Sequence, residues 1–83
     1  MKGWDRRALK PEAAGQVLRD VGFDRAIDDP EAAHGHFDRQ GRLRRVHARY
    51  RGGWRVTLKI KADGSGDVSW VRKVKVVRIE VGG

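Results

Sequence analysis

The sequence predicts an α+β fold in which one or two N-terminal helices pack on a three-stranded antiparallel β-meander. Three observations lead to it. Trp54–Lys61 alternates apolar and polar residues throughout, the period-two pattern of a strand with one face in a core. Two turn signals, Gly52–Gly53 and Asp63–Gly64, bracket that segment and point to a hairpin on either side. Upstream, Ala14, Val17, Leu18 and Val21 recur at helical spacing behind Pro11, which describes an amphipathic helix.

The helix is expected over residues 11–21. Proline suits the first helical position, where a missing N–H costs nothing. Glu12 then lies near the positive end of the helix dipole. Gly22 occupies the usual stop position, and Phe23 can fold back onto the last turn. Asp29-Pro30-Glu31 has the form of a second helix start, kept short by Gly35. Met1–Asp5, with Trp4, reads as a lead or a brief strand. In the second half, Arg42–Arg51 places Val46, Ala48 and Tyr50 on one face and Arg45, His47, Arg49 and Arg51 on the other. The third strand, Val68–Val81, starts with Val68, Trp70, Val74 and Val76 on one side, then shifts phase to Val77, Ile79 and Val81. Such a slip is what a bulge or a bend produces. Trp54 and Trp70 fall on the apolar side and are expected in the core.

The 83 residues fit a single domain, 1–83, with a helical part over 1–41 and a basic sheet over 42–83. Cysteine is absent, which excludes disulfide staples and thiolate metal sites. No apolar run approaches a membrane span and no signal peptide is visible at Met1–Lys10, so a soluble, cytoplasmic protein with no membrane partner is expected. The net charge is +8, but it is not spread evenly. Residues 1–41 carry seven basic and eight acidic side chains, whereas residues 42–83 carry twelve basic against Asp63, Asp67 and Glu80. A charge kept only for solubility has no reason to segregate in this way, while a binding face does.

Strand alternation collects that charge. The face opposite the core is expected to hold Arg45, His47, Arg49, Arg51, Arg55, Lys59, Lys61, Lys73 and Lys75. Guanidinium groups present a fixed fork of donors to phosphate. Alternate strand residues are roughly 7 Å apart, close to the phosphate repeat of a nucleic-acid strand. The eight basic residues from Arg42 to Lys61, uninterrupted by an acid, therefore predict a polyanion partner. Nucleic acid heads the list, and an acidic protein is the other candidate. Outer strands of an open sheet also leave room for oligomerisation.

Three histidines are candidate catalytic residues: His34, His36 and His47. A pair of imidazoles can cleave RNA without metal, one activating the 2′-hydroxyl and one protonating the leaving oxygen. His47 projects among Arg45, Arg49 and Arg51, whose charge favours the neutral form suited to a base. His34-Gly35-His36 brings two imidazoles together, but no third ligand is evident, so no metal and no cofactor are assigned. No P-loop, nucleophile elbow, dinucleotide fingerprint or paired-carboxylate arrangement is present.

Two stretches resemble small ribonuclease toxins of toxin–antitoxin modules. Val17-Leu18-Arg19-Asp20-Val21-Gly22-Phe23, followed by His34-Gly35-His36-Phe37 and Gly41-Arg42, is similar to HicA toxins. That resemblance implies a catalytic role for His34 or His36. Gly3-Trp4-Asp5, Leu18-Arg19, Val21-Gly22-Phe23, Ala26 and Asp29-Pro30 are similar in order to BrnT toxins of the RelE-like group. Either resemblance implies an endoribonuclease acting on RNA, with a small acidic antitoxin covering the basic face. The expectation is thus a small nucleic-acid-binding protein, RNA favoured over DNA, and a metal-free ribonuclease toxin in its catalytic form. The alternative is a non-enzymatic interaction protein, a phage-encoded inhibitor or virion component, that docks its basic face on an acidic protein or on DNA.

Overall fold

The computed structural model describes residues 3–23 and 28–72. They form one helix and a five-stranded antiparallel sheet in the order β1-β2-β3-β4-β5. The strands are β1 (Asp5–Leu9), β2 (Ala32–Phe37), β3 (Leu43–Tyr50), β4 (Trp54–Ile60) and β5 (Gly66–Arg72), and α1 (Pro11–Asp20) joins β1 to β2. The expected three-stranded meander is therefore too small. Its strands are present as β3–β5, but residues 1–41 supply two further strands beside them. The second helix, expected from Asp29-Pro30-Glu31, is replaced by β2. The region after Arg72, with Lys73, Lys75 and the phase shift toward Val81, lies outside the described residues.

Local chemistry accounts for α1 and the hairpins. Pro11 opens the helix, Glu12 sits in its first turn and Arg19 in its last, each at the dipole end that suits its charge. Gly22 has φ +89°, the left-handed conformation that costs glycine nothing. The Phe23 N–H donates to the Leu18 carbonyl and the Gly22 N–H to the Arg19 carbonyl, both at 3.0 Å. This closes the helix with a Schellman motif. Between β2 and β3, the backbone N–H groups of Gln40 and Arg42 donate to Asp38 Oδ1 at 2.9 and 3.0 Å. The Arg42 bond foremost holds the Asp38 carboxyl below its ordinary range. The β3–β4 loop has three residues, Arg51–Gly53, since Tyr50 pairs with Trp54, rather than the two expected.

One face of the sheet packs on α1. Ala14, Leu18 and Phe23 meet Val46, Ala48, Val56 and Leu58 in a single buried cluster. Burying each of the largest, Leu18, Leu58 and Val46, contributes about 1.5–3 kcal/mol. Gly35 of β2 faces this side. A Cβ there would lie 2.7 Å from Leu43 Cδ1 and 3.1 Å from Leu9 Cδ1, so glycine is what allows those leucines to close over the strand. Trp54 is half-buried at the edge of this core. Trp70 is 46% exposed, less buried than its phase suggests, and leans on Phe23 with ring centroids 5.5 Å apart.

Candidate nucleic-acid interface and histidine cluster

Antiparallel pairing lines up residues on the other face in rows that cross the strands. Cα partners of successive pairs give the first row as Arg6, His36, Arg45, Lys59 and Asp67. The second is Ala8, His34, His47, Thr57 and Ser69. The third is Ala32, Arg49, Arg55 and Val71. Two cationic rows thus flank a central row of small and neutral side chains. An open depression of about 940 Å3 follows the central row from Ala8 to Ser69, with Arg6, Ala32, Arg49 and Arg55 beside it.

The cations of this face differ from several of those elsewhere. Among the described residues, Arg6, Arg45, Arg49 and Arg55 have no carboxylate partner, and Lys59 forms no ion pair although Asp67 is directly opposite it. Off the face, Arg7 pairs with Asp5, Arg42 and Arg44 with Asp38, Arg51 with Glu31 and Lys61 with Asp67. Within the face, Arg45 is directly opposite Lys59 and Arg49 directly opposite Arg55. Like charges opposed in this way destabilise a sheet. Arg45 Nε is also buried without a hydrogen-bond partner among the described residues. The arrangement costs folding energy that a bound polyanion would return.

These findings sort the expected binding residues. Arg45, Arg49, Arg55 and Lys59 share the face as expected. Arg51 belongs to the loop after β3, its side chain 94% exposed and 3.6 Å from Glu31. Lys61 lies beyond the end of β4, 3.4 Å from Asp67. Lys73 and Lys75 lie outside the described residues. Arg6 is the cation that sequence reasoning missed. Its strand, Asp5–Leu9, exposes four of five residues, so no alternation marks it, and only pairing with β2 brings Arg6 onto the face.

The three histidines converge. His34 and His36 project from the same side of β2, and His47 of β3 is the direct partner of His34. Ring centroids are 4.8 Å apart for His34 and His47, 5.4 Å for His36 and His47 and 5.5 Å for His34 and His36. All three are half-buried. His47 Nδ1 is 3.3 Å from Thr57 Oγ1. Burial holds His34 below the ordinary histidine value, helped by the charges of Arg6 and His36. Burial also lowers His47, with His34, His36, Arg45 and Arg6 adding to the effect. Both favour neutral imidazole at neutral pH, able to accept a proton or donate a lone pair. The third imidazole that the His34-Gly35-His36 segment lacks in the sequence stands across the sheet as His47.

No described helix is long and apolar enough to cross a membrane. Searched against protein-family models, curated proteins and solved structures, the chain matches none.

Proposed function

We propose that this protein binds a nucleic-acid backbone, RNA in preference to DNA, across the face formed by Arg6, Arg45, Arg49, Arg55 and Lys59. The observation that carries this reading is the pair of cross-strand like-charge oppositions, Arg45 with Lys59 and Arg49 with Arg55, on a face whose rows hold five cations against the single carboxylate of Asp67. Phosphates set into the depression between the two cationic rows neutralise both. The preference for RNA rests on the resemblance to small ribonuclease toxins.

The histidine cluster favours a second reading, cleavage of the bound RNA. It spans the central row, through His34 and His47, and the first row, through His36, along the path the backbone would take. In that reaction a neutral imidazole removes the 2′-hydroxyl proton and the oxygen attacks phosphorus. A protonated imidazole gives its proton to the departing 5′-oxygen, leaving a cyclic phosphate and a 5′-hydroxyl. Arg6 and Arg45, which flank His36 in the first row, are placed to stabilise the added charge.

The test is a salt series of binding to generic RNA and DNA oligonucleotides, with the RNA afterwards resolved on a gel. Five neutralised phosphates give a log–log salt slope of roughly −3.5 for single strands and −4.5 for duplex. Arg49→Ala/Arg55→Ala flattens that slope by roughly 1.4–1.8. Undiminished binding by the double variant would overturn the interface, and intact RNA would remove the cleavage reading while leaving the binding one.

A further inference from the structure

The histidine cluster has the makings of a metal centre. Its ring nitrogens, one from each residue, all lie within 4.8 Å of one another. A tetrahedral zinc ion at about 2.0–2.1 Å from each nitrogen holds them roughly 3.3 Å apart. Rotation of half-buried rings about their side-chain torsions covers the difference. The backbone already sets the triangle, with two positions on one strand and the third directly across from one of them.

Hydrogen bonding points the same way. Among the described residues, neither the His34 nor the His36 ring has a hydrogen-bond partner, so these half-buried imidazoles keep lone pairs to donate. His47 is held through Nδ1 by Thr57. When that nitrogen carries the proton, Nε2 is left as the donor and its tautomer is fixed, as in the outer shells of metal-bound histidines.

We infer that His34, His36 and His47 form a site for a divalent transition-metal ion of the zinc class, with a fourth position open to an anionic oxygen ligand. The donor set decides the ion. Three imidazoles without a carboxylate suit zinc, copper or nickel and do not suit magnesium or calcium. Three protein ligands plus one open position is the composition of catalytic zinc sites. The surroundings decide the fourth ligand. Arg6 and Arg45 border the cluster and oppose a bare dication, so hydroxide or a phosphate oxygen completes the site and offsets their charge. The inference does not rest on the nucleic-acid reading, since the ion can bind with no RNA present. It does compete with metal-free cleavage, because both uses need the same lone pairs.

The experiment titrates the chelator-stripped full-length protein with Co2+, read by its visible absorption, then displaces the Co2+ with Zn2+. The expected result is one Co2+ per chain with the intense bands of four-coordinate nitrogen–oxygen ligation, lost on adding one equivalent of Zn2+. His36→Ala and His47→Ala each weaken Co2+ binding by at least about tenfold, the lower end of what losing even an outer-shell partner costs. Arg51→Ala, on a side chain off this face, leaves it unchanged. Circular dichroism confirms that each variant keeps its sheet, and His47→Gln replaces any variant that does not. Failure to take up Co2+ would overturn the site, as would uptake that survives His36→Ala and His47→Ala together. Neither result bears on binding of RNA by the arginine rows.

Discussion

Arg49 of β3 is directly opposite Arg55 of β4, two cations on one face of the sheet with no carboxylate beside either. Stability and binding should therefore respond in opposite directions to one substitution. Arg55→Glu turns the repulsive pair into an attractive one and is expected to raise stability by about 0.2–1 kcal/mol at low salt. The same change places a negative charge against phosphate and should abolish RNA binding. Urea denaturation and a binding titration on one preparation check both halves. A destabilised Arg55→Glu variant would mean that the opposed arginines are not costing the fold anything.

Arg6 and Arg51 make a second contrast. Arg6 sits in the first row beside His36, whereas Arg51 extends from a loop toward Glu31. Arg6→Ala should reduce the magnitude of the salt slope by roughly 0.7–0.9, the share of one phosphate contact. Arg51→Ala and Lys61→Ala should change it little. Equal effects from Arg6 and Arg51 would show that total charge, rather than position on the sheet, sets the affinity.

The difference between Arg6 and Arg51 also shows what the sequence can convey. The alternation in β3 and β4 and the glycine stop of α1 are local signals, and they place Arg45, Arg49, Arg55 and Lys59 correctly. β2 also alternates, with Ala33, Gly35 and Phe37 on one side and His34 and His36 on the other. Its strand signal is obscured by Asp29-Pro30-Glu31, which has the form of a helix start, and by Gly35, which reads as an interruption. Gly35 is there for a tertiary reason, the approach of Leu9 and Leu43, and no local rule reveals that. The meeting of His47 with His34 depends in turn on the register of β2 against β3, with its irregularity between His36 and Phe37. A cluster assembled from two strands becomes visible only when both strands are placed.

Gly35 supplies a stability prediction. Valine is a better strand former than glycine, so propensity alone favours Gly35→Val. The space does not, since even a Cβ reaches within 2.7 Å of Leu43 Cδ1 and 3.1 Å of Leu9 Cδ1. Overpacking of this kind costs about 1–3 kcal/mol. Gly35→Val should lower the thermal midpoint and spread the distance between β1 and β2. Because Gly35 separates His34 from His36, it should also weaken Co2+ binding. A stabilised Gly35→Val variant would show that the leucines yield at little cost.

Acidification should loosen the protein through His34 and His47. Burial, followed by neighbouring cations, holds both below the ordinary value of 6.5. The unfolded chain therefore binds protons at these positions more readily than the folded one, and stability rises with pH across that interval. Their contribution is complete above 6.5 and is lost as pH falls through the depressed folded values. Arg6, Arg45 and Thr57 border the pair, and the one acid in these rows, Asp67, stands beyond Lys59 at the far end of the first row. Urea midpoints measured from about pH 7.5 down to about pH 5 should fall, and His34→Gln/His47→Gln should flatten the decline. Inorganic polyphosphate should raise both imidazole titrations seen by NMR, since a bound anion favours the charged form.

Thr57 tests whether the cluster is organised or merely crowded. Its hydroxyl lies 3.3 Å from His47 Nδ1, and its β-branched side chain suits the strand. Thr57→Val keeps the branch and removes the oxygen, so β4 should persist with a stability change under about 1.5 kcal/mol. Loss of an outer-shell partner of this kind typically lowers metal affinity by about 10–100-fold, and Co2+ titration should show a fall in that range. Thr57→Ser, which keeps the hydroxyl, should recover most of it. RNA binding at low salt should be nearly unaffected by either change, because the arginine rows carry it. If Thr57→Val bound Co2+ as tightly as the parent protein, the His47 tautomer would be set by the other two imidazoles, and Thr57 would be only a good strand residue.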